Sequence, residues 1–225
     1  MSVSVLSTLA LKGVLDRFKG NLEATLGERV EARFDATQAI LKLLASGAAQ
    51  SRCDVLILTE EAMQELKSAG RIATIEVLGS SGVGLAVKKG APRPDIGTLE
   101  AFKRAIATAS SVAHSRVGAS GLYFASLVET IPLQMKKRIV VERGPVGRAV
   151  ASGEAEIGIQ QLCELAPVPG IDIVGPLPDP IQRITRFAAG IPANAANAKG
   201  AALLMEQLLS GHIRAGMREG GIEPA

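Results

Sequence analysis

The chain has 225 residues, of which 47% are hydrophobic, so it is long enough for one large domain or two small lobes with a real core. Aromatic residues make up 3%, with no Trp and one Tyr, which leaves little for an aromatic cage or a base-stacking surface. The net charge of +3 is spread along the chain without a basic run, so no nucleic-acid stripe is expected and the balance suits a small anionic ligand.

In chain order, the apolar run 3–8, VSVLST, predicts a strand ending in two hydroxyls. Leu11, Val14, Leu15 and Phe18 then recur at helical spacing, and Gly27 suits the stop. RVEARF is a second strand, and DATQAILKLLASG a second helix with Asp35 or Thr37 as its cap and Gly47 as its stop. CDVLIL is a buried strand, TEEAMQELKSAG a helix opened by Thr59, and IATIEVLG a further strand. The alternation predicts a mostly parallel sheet with helices on both faces. GSSGVG at 79–84 reads as a crossing or hinge, with another strand, VGLAVKKG, after it and a break at APRPDIG.

A second αβ series follows: a helix capped by Thr98, the strand SVAHS, the helix SGLYFASLVETI, the strand RIVVER, a helix with Pro145 in its first turn, and the strands AEIGIQQ and GIDIVGPLP. IQRITRFAAGIP runs extended, and residues from Asn194 onward form a long helix and tail that return to the first lobe. The expected fold class is therefore α/β with two lobes, 1–80 plus 188–225 and 81–187, joined by crossings near 80–84 and 176–187. Two such lobes describe a clamshell, with ligands expected where strands end and helices begin.

Cys53 and Cys163 lack metal-type spacing, so no metal site is expected. Cys53 reads as a buried structural thiol, and Cys163 as either core or cleft-facing. P-loop, dinucleotide and Ser-His-Asp patterns are missing, and no cofactor is expected. No segment approaches the roughly 20 apolar residues of a membrane span. The N-terminus has neither a basic region nor a cleavage site, so the chain reads as cytoplasmic as it stands, and as periplasmic if a leader has been removed.

Several turns are candidates for an anion site, because the first N–H groups of a helix lack partners and carry partial positive charge. Ser7 and Thr8 are one, set against a simple cap. Thr37 is a second. The third is SRVGASG, where Ser115, Gly118, Ala119, Ser120 and Gly121 let a ligand approach the backbone. Arg116 is either an ion-pair partner for a carboxylate or a solvated charge. Arg143 precedes another helix start, and Gln160 is favoured over Gln161 to face the ligand. His114 is either a packing residue or, if the protein is an isomerase, its base.

VLSTLALKGVLDRF, FDATQAILKLLASG, CDVLIL, VGASGLYFASLVE, VASGEAEIGIQQ and the terminal GIEPA, in this order, resemble the type 2 periplasmic solute-binding proteins, and within them the molybdate-binding branch. The resemblance implies a Venus-flytrap fold that closes on a small oxyanion or carboxylate, aligns the Ser7–Thr8 turn with the site, and implies export and an ABC permease as partner. It extends to aconitate isomerase, a member of this fold that isomerises a tricarboxylate, which keeps an enzyme in view.

Overall fold

A computed structural model describes residues 2–225 of the chain. They form two compact units, unit 1 from residues up to Ser80 plus Thr185–Ala225, and unit 2 from Ser81–Ile184. Among the described residues, no helix is long and apolar enough to cross a membrane.

In unit 1, β1 (Ser2–Thr8) ends in a short 3-10 turn that leads into α1 (Lys12–Leu26). β2 (Arg29–Asp35) and α2 (Thr37–Ser46) follow, then β3 (Val55–Thr59) and α3 (Glu60–Ser68). Gly27 and Gly47 close α1 and α2 in the left-handed conformation, where a Cβ would be strained. β1 pairs in parallel with both β2 and β3. The sheet runs β2-β1-β3 and continues through two later strands, β9 (Ile184–Pro192), antiparallel to β3, and β4 (Ile72–Lys88). Leu6, Leu56, Leu58 and Met63 carry the core on one face.

The C-terminal segment departs from the expected single helix. It forms α8 (Ala198–Leu208) and α9 (Gly211–Glu219), then a short strand β10 (Glu223–Pro224) antiparallel to β4. Ser210 breaks the run, because its hydroxyl accepts the Ile213 N–H and starts a new helix. GSSGVG lies inside one continuous strand, β4, where two strands were expected, and the boundary between the units falls within it, after Ser80.

In unit 2 the second half of β4 pairs antiparallel with β7 (Ile157–Gln161) and β8 (Ile171–Pro176). β5 (Val112–Ser115) lies between β7 and β6 (Arg138–Val141), parallel to both. One face is covered by α4 (Leu99–Thr108) and α5 (Ala119–Thr130), whose Phe102 and Phe124 are fully buried against Val112 and Ile159. The other face packs Ala113 on Val146, Ala149 and Val150 of α6 (Gly147–Ser152) and the turn before it. Pro145 sits before the α6 cap, Val146, and not within its first turn. A one-turn helix, α7 (Leu162–Leu165), follows β7 directly.

Thr98 caps α4 as expected, its hydroxyl accepting the Ala101 N–H at 3.1 Å. Thr98→Ala should cost about 1 kcal/mol, read as a lower urea midpoint with an unchanged slope.

Candidate functional site

In unit 1, the carboxyl ends of β1 and β2 lie side by side, with Thr8 paired to Asp35. Ser7 is fully buried, and its hydroxyl donates to the Thr8 carbonyl at 2.9 Å. Thr8 is buried at the start of the 3-10 turn and makes no side-chain cap bond. Neither residue predicted to cap α2 does so. The cap is Ala36, Thr37 is the first helical residue, and the Asp35 carboxylate accepts the Ala36 N–H at 2.8 Å. Both helix starts on this edge therefore lack a side-chain cap.

Unit 2 builds the more complete arrangement. β5 ends at Ser115, and three residues later Gly118 caps α5 with extended backbone and no side-chain bond. The helix start lies hard against the strand end. A Cβ at Gly121 would sit 1.9 Å from the Ser115 carbonyl oxygen, and one at Gly118 would sit 2.7 Å from Ser115 Oγ. The small residues are required by this close approach. The hydroxyls of Ser115 and Ser120 are both buried and have no hydrogen-bond partner among the described residues. A buried hydroxyl without a partner is costly. Two of them, beside helical N–H groups with no acceptor, form a cradle of donors suited to an oxyanion or carboxylate. Ala119 is exposed within the same turn.

Of the charged and amide candidates around this turn, Arg116 and Gln160 are already engaged. Arg116 makes a two-pronged pair with Glu142 at 2.6 Å, both side chains more than half exposed. Arg143 is exposed on the loop before α6. Gln160 is buried, with its oxygen accepting the Val146 N–H at 2.7 Å and its NH₂ donating to Glu164. Gln160 thus ties α6 to α7.

His114 is buried in β5 against Phe124. Arg138 Nε donates to its Nε2 at 2.7 Å, so Nε2 is an acceptor, and Nδ1–H donates to the Ser115 carbonyl at 3.0 Å. Burial, helped by the Arg138 charge, lowers its pKa and favours this neutral ring. Both ring nitrogens are spent on fixing the end of β5.

Sequence reasoning passed over Glu164. It is half-buried on α7, one turn beyond the end of β7. Burial pushes its carboxyl up to about 7, against the opposing hydrogen bond from Gln160. The signal was an acid set in the apolar LCEL directly after a buried strand. Cys163 proves to be core, its thiol pushed upward by burial and its N–H donating to Ser81 Oγ at 3.2 Å. Cys53 is buried too, its thiol raised to about 11. Neither is an activated nucleophile. Among the described residues, no cluster of metal-ligating side chains occurs.

The sequence profile of the family described as bacterial extracellular solute-binding protein matches residues 3–223. An aconitate isomerase from Pseudomonas sp. is 32% identical, the match covering 99% of this chain and 88% of the isomerase. Among solved structures, the periplasmic molybdate-binding protein of Azotobacter vinelandii superposes with a TM-score of 0.76 at 17% identity, over 98% of each chain. A sulfate-binding protein of Mycobacterium tuberculosis superposes with a TM-score of 0.74 at 16% identity, over 100% of this chain and 87% of its own. These two share the fold of type 2 periplasmic binding proteins with the present chain.

Proposed function

The chain belongs to the bacterial extracellular solute-binding protein family, and from that premise we propose that it binds a small oxyanion or a di- or tricarboxylate. The cradle at the start of α5 makes the main contacts, through Ser115, Gly118, Ala119, Ser120 and Gly121. In unit 1, the uncapped turns at Ser7–Thr8 and Thr37 offer donors of the same kind. Arg116 and Arg143 contribute positive charge, and Gln160 keeps the α6 start in place. The observation that carries the reading is the pair of buried, unpartnered hydroxyls on Ser115 and Ser120. A bound anion would accept from both and remove the cost of leaving them unmade. This reading brings with it the periplasm as compartment and an ABC permease as partner.

Thermal melts over a panel of oxyanions and carboxylates test it. A ligand at 100 times its Kd adds about 2.7 kcal/mol, or a rise of about 5–10 °C for a chain of this size. Ser120→Ala carries a two-signed expectation. Affinity for the stabilising anion falls about tenfold, for loss of a bond to a charged group. Stability without ligand stays level or rises, since an unsatisfied buried hydroxyl is gone. If no anion at millimolar concentration raises the melting temperature, the proposal fails.

The 32% identical aconitate isomerase favours a second reading, in which the bound anion is an unsaturated tricarboxylate whose double bond is moved by a proton shift. NMR of cis- and trans-aconitate with the protein in heavy water separates the two readings: isomer conversion or deuterium uptake requires chemistry, and binding alone gives neither.

A further inference from the structure

We propose that Glu164 is the proton-transferring carboxylate of the α5 site, taking a proton from one carbon of a bound unsaturated polycarboxylate and returning it two carbons away. The proposal rests on the isomerase reading above.

Three observations carry it. First, Glu164 is placed at the cradle. β5 and β7 are paired in parallel up to His114 and Ile159, so Gln160, the next residue of β7, stands beside Ser115, about 5 Å away across the strand spacing. Gln160 donates to Glu164 Oε2. Gln160, and through it Glu164, thus stand at the same end of the β5–β7 pair as Ser115. Second, it is held in position. The Val146 N–H fixes the oxygen of Gln160, which leaves the Gln160 NH₂ to orient the carboxylate. Oε1 has no partner among the described residues and is free to take a proton. Third, the other titratable groups at this end of unit 2 are committed elsewhere. His114 has both ring nitrogens engaged, and Glu142 is exposed and paired with Arg116. No Lys or Arg among the described residues forms an ion pair with Glu164, and the neighbouring Cys163 thiol is held un-ionised by burial.

A carboxyl titrating near neutrality is suited to giving and taking a proton at physiological pH. In the forward step the Glu164 carboxylate removes a proton from the CH₂ carbon. The released C–H electron pair forms the new C=C bond, and the old π pair moves to the far carbon. That carbon takes the proton back from the Glu164 carboxylic acid, which restores the carboxylate. Atoms and charge balance, and no oxidant or co-reactant is needed. Negative charge that builds on the substrate carboxylate beside the breaking C–H bond is held by the Ser115 and Ser120 hydroxyls and the α5 amides.

The test uses the full chain with cis- and trans-aconitate in heavy water, read by NMR, alongside thermal melts with the same acids. Glu164→Gln should lose conversion between the two isomers at least 100-fold and keep the ligand-induced rise in melting temperature. In the wild type, kcat/KM should climb with pH through about 7 as the carboxyl loses its proton. Gln160→Met removes the bond that favours the carboxylate and should move that limb to higher pH. Conversion by Glu164→Gln within threefold of wild type overturns the assignment of Glu164 and leaves the isomerase reading intact. A wild type that is stabilised by the acids but neither interconverts them nor takes up deuterium overturns the isomerase reading and Glu164 with it. If Glu164→Gln does not fold, Glu164→Asp and the position of the pH limb in Gln160→Met decide: full activity in the first, or an unmoved limb in the second, rejects the proposal.

Discussion

Gly121→Ala is expected to lower the melting temperature by about 6–12 °C, from a loss of about 3 kcal/mol converted at the slope for a chain of this length. The added methyl group would lie 1.9 Å from the Ser115 carbonyl oxygen and 2.7 Å from its carbonyl carbon. Those are backbone atoms of a strand held by hydrogen-bonded neighbours on both sides, so they cannot step aside. The helix must back away, and α5 carries Phe124, a fully buried anchor of the unit 2 core. Alanine's better helix propensity returns only about 1 kcal/mol. Gly118→Ala is the natural comparison: its methyl group would meet Ser115 Oγ, a side-chain atom that can rotate, so its cost should be smaller. The same shift of α5 would pull its amides from the cradle, and stabilisation by anions should disappear with it. Thermal melts with and without ligand read both effects. A Gly121→Ala protein that melts with the wild type would mean that α5 does not lie against Ser115.

Asp54→Ala should destabilise the protein by about 3 kcal/mol. Asp54 is 5% exposed, just before β3. Its Oδ2 accepts the Ser4 N–H at 2.8 Å and the Ser4 hydroxyl at 2.6 Å, and its Oδ1 accepts the Asn197 N–H at 2.7 Å. Asn197 in turn caps α8, accepting the Gly200 N–H at 2.9 Å. One carboxylate therefore joins the first strand, the approach to β3 and the entry of a helix far along the chain. Removing it leaves several inward donors unsatisfied. Burial alone would raise its pKa, but the donors outweigh burial and hold it below the usual carboxylate value. A depressed folded pKa means that the contribution is complete above the unfolded value, about 4, and is lost as pH falls through the folded one. Denaturant midpoints of wild type and Asp54→Asn should thus differ at neutral pH and converge in acid. A gap that persists in acid would assign the effect to packing.

Local signals were legible where a residue's own chemistry decides its place. Thr98 reads as a cap and is one, and Gly27 reads as a helix stop because the left-handed backbone there favours glycine. The α2 cap was not legible. Asp35 sits one residue early and satisfies the Ala36 N–H from the end of β2, which leaves the cap position to Ala36. At GSSGVG the expected break between two strands is what differs. Glycine was taken to break the strand, yet a Cβ at Gly79 would meet the Glu223 carbonyl at 2.4 Å, and one at Gly84 would meet Leu162. Those glycines admit neighbours packed close to a strand that continues, and neighbours remote in sequence cannot be read locally. Strand alternation could say that Gln160 and Gln161 point opposite ways. It could not say that the Gln160 amide would be claimed at both ends, or that the acid four residues on would be its partner. The tight packing of the α5 start on the end of β5 was legible, because small residues before an apolar helix permit such a close approach.

The division of the chain bears on how it is made. Unit 2 is one uninterrupted stretch, Ser81–Ile184, whereas unit 1 needs both ends of the polypeptide. During synthesis, β1, β2 and β3 emerge first but must wait for β9, since Leu56 pairs with Gly190. The inserted stretch can therefore complete its sheet on the ribosome while the first strands still have an open edge, an interval in which that edge is exposed to other chains.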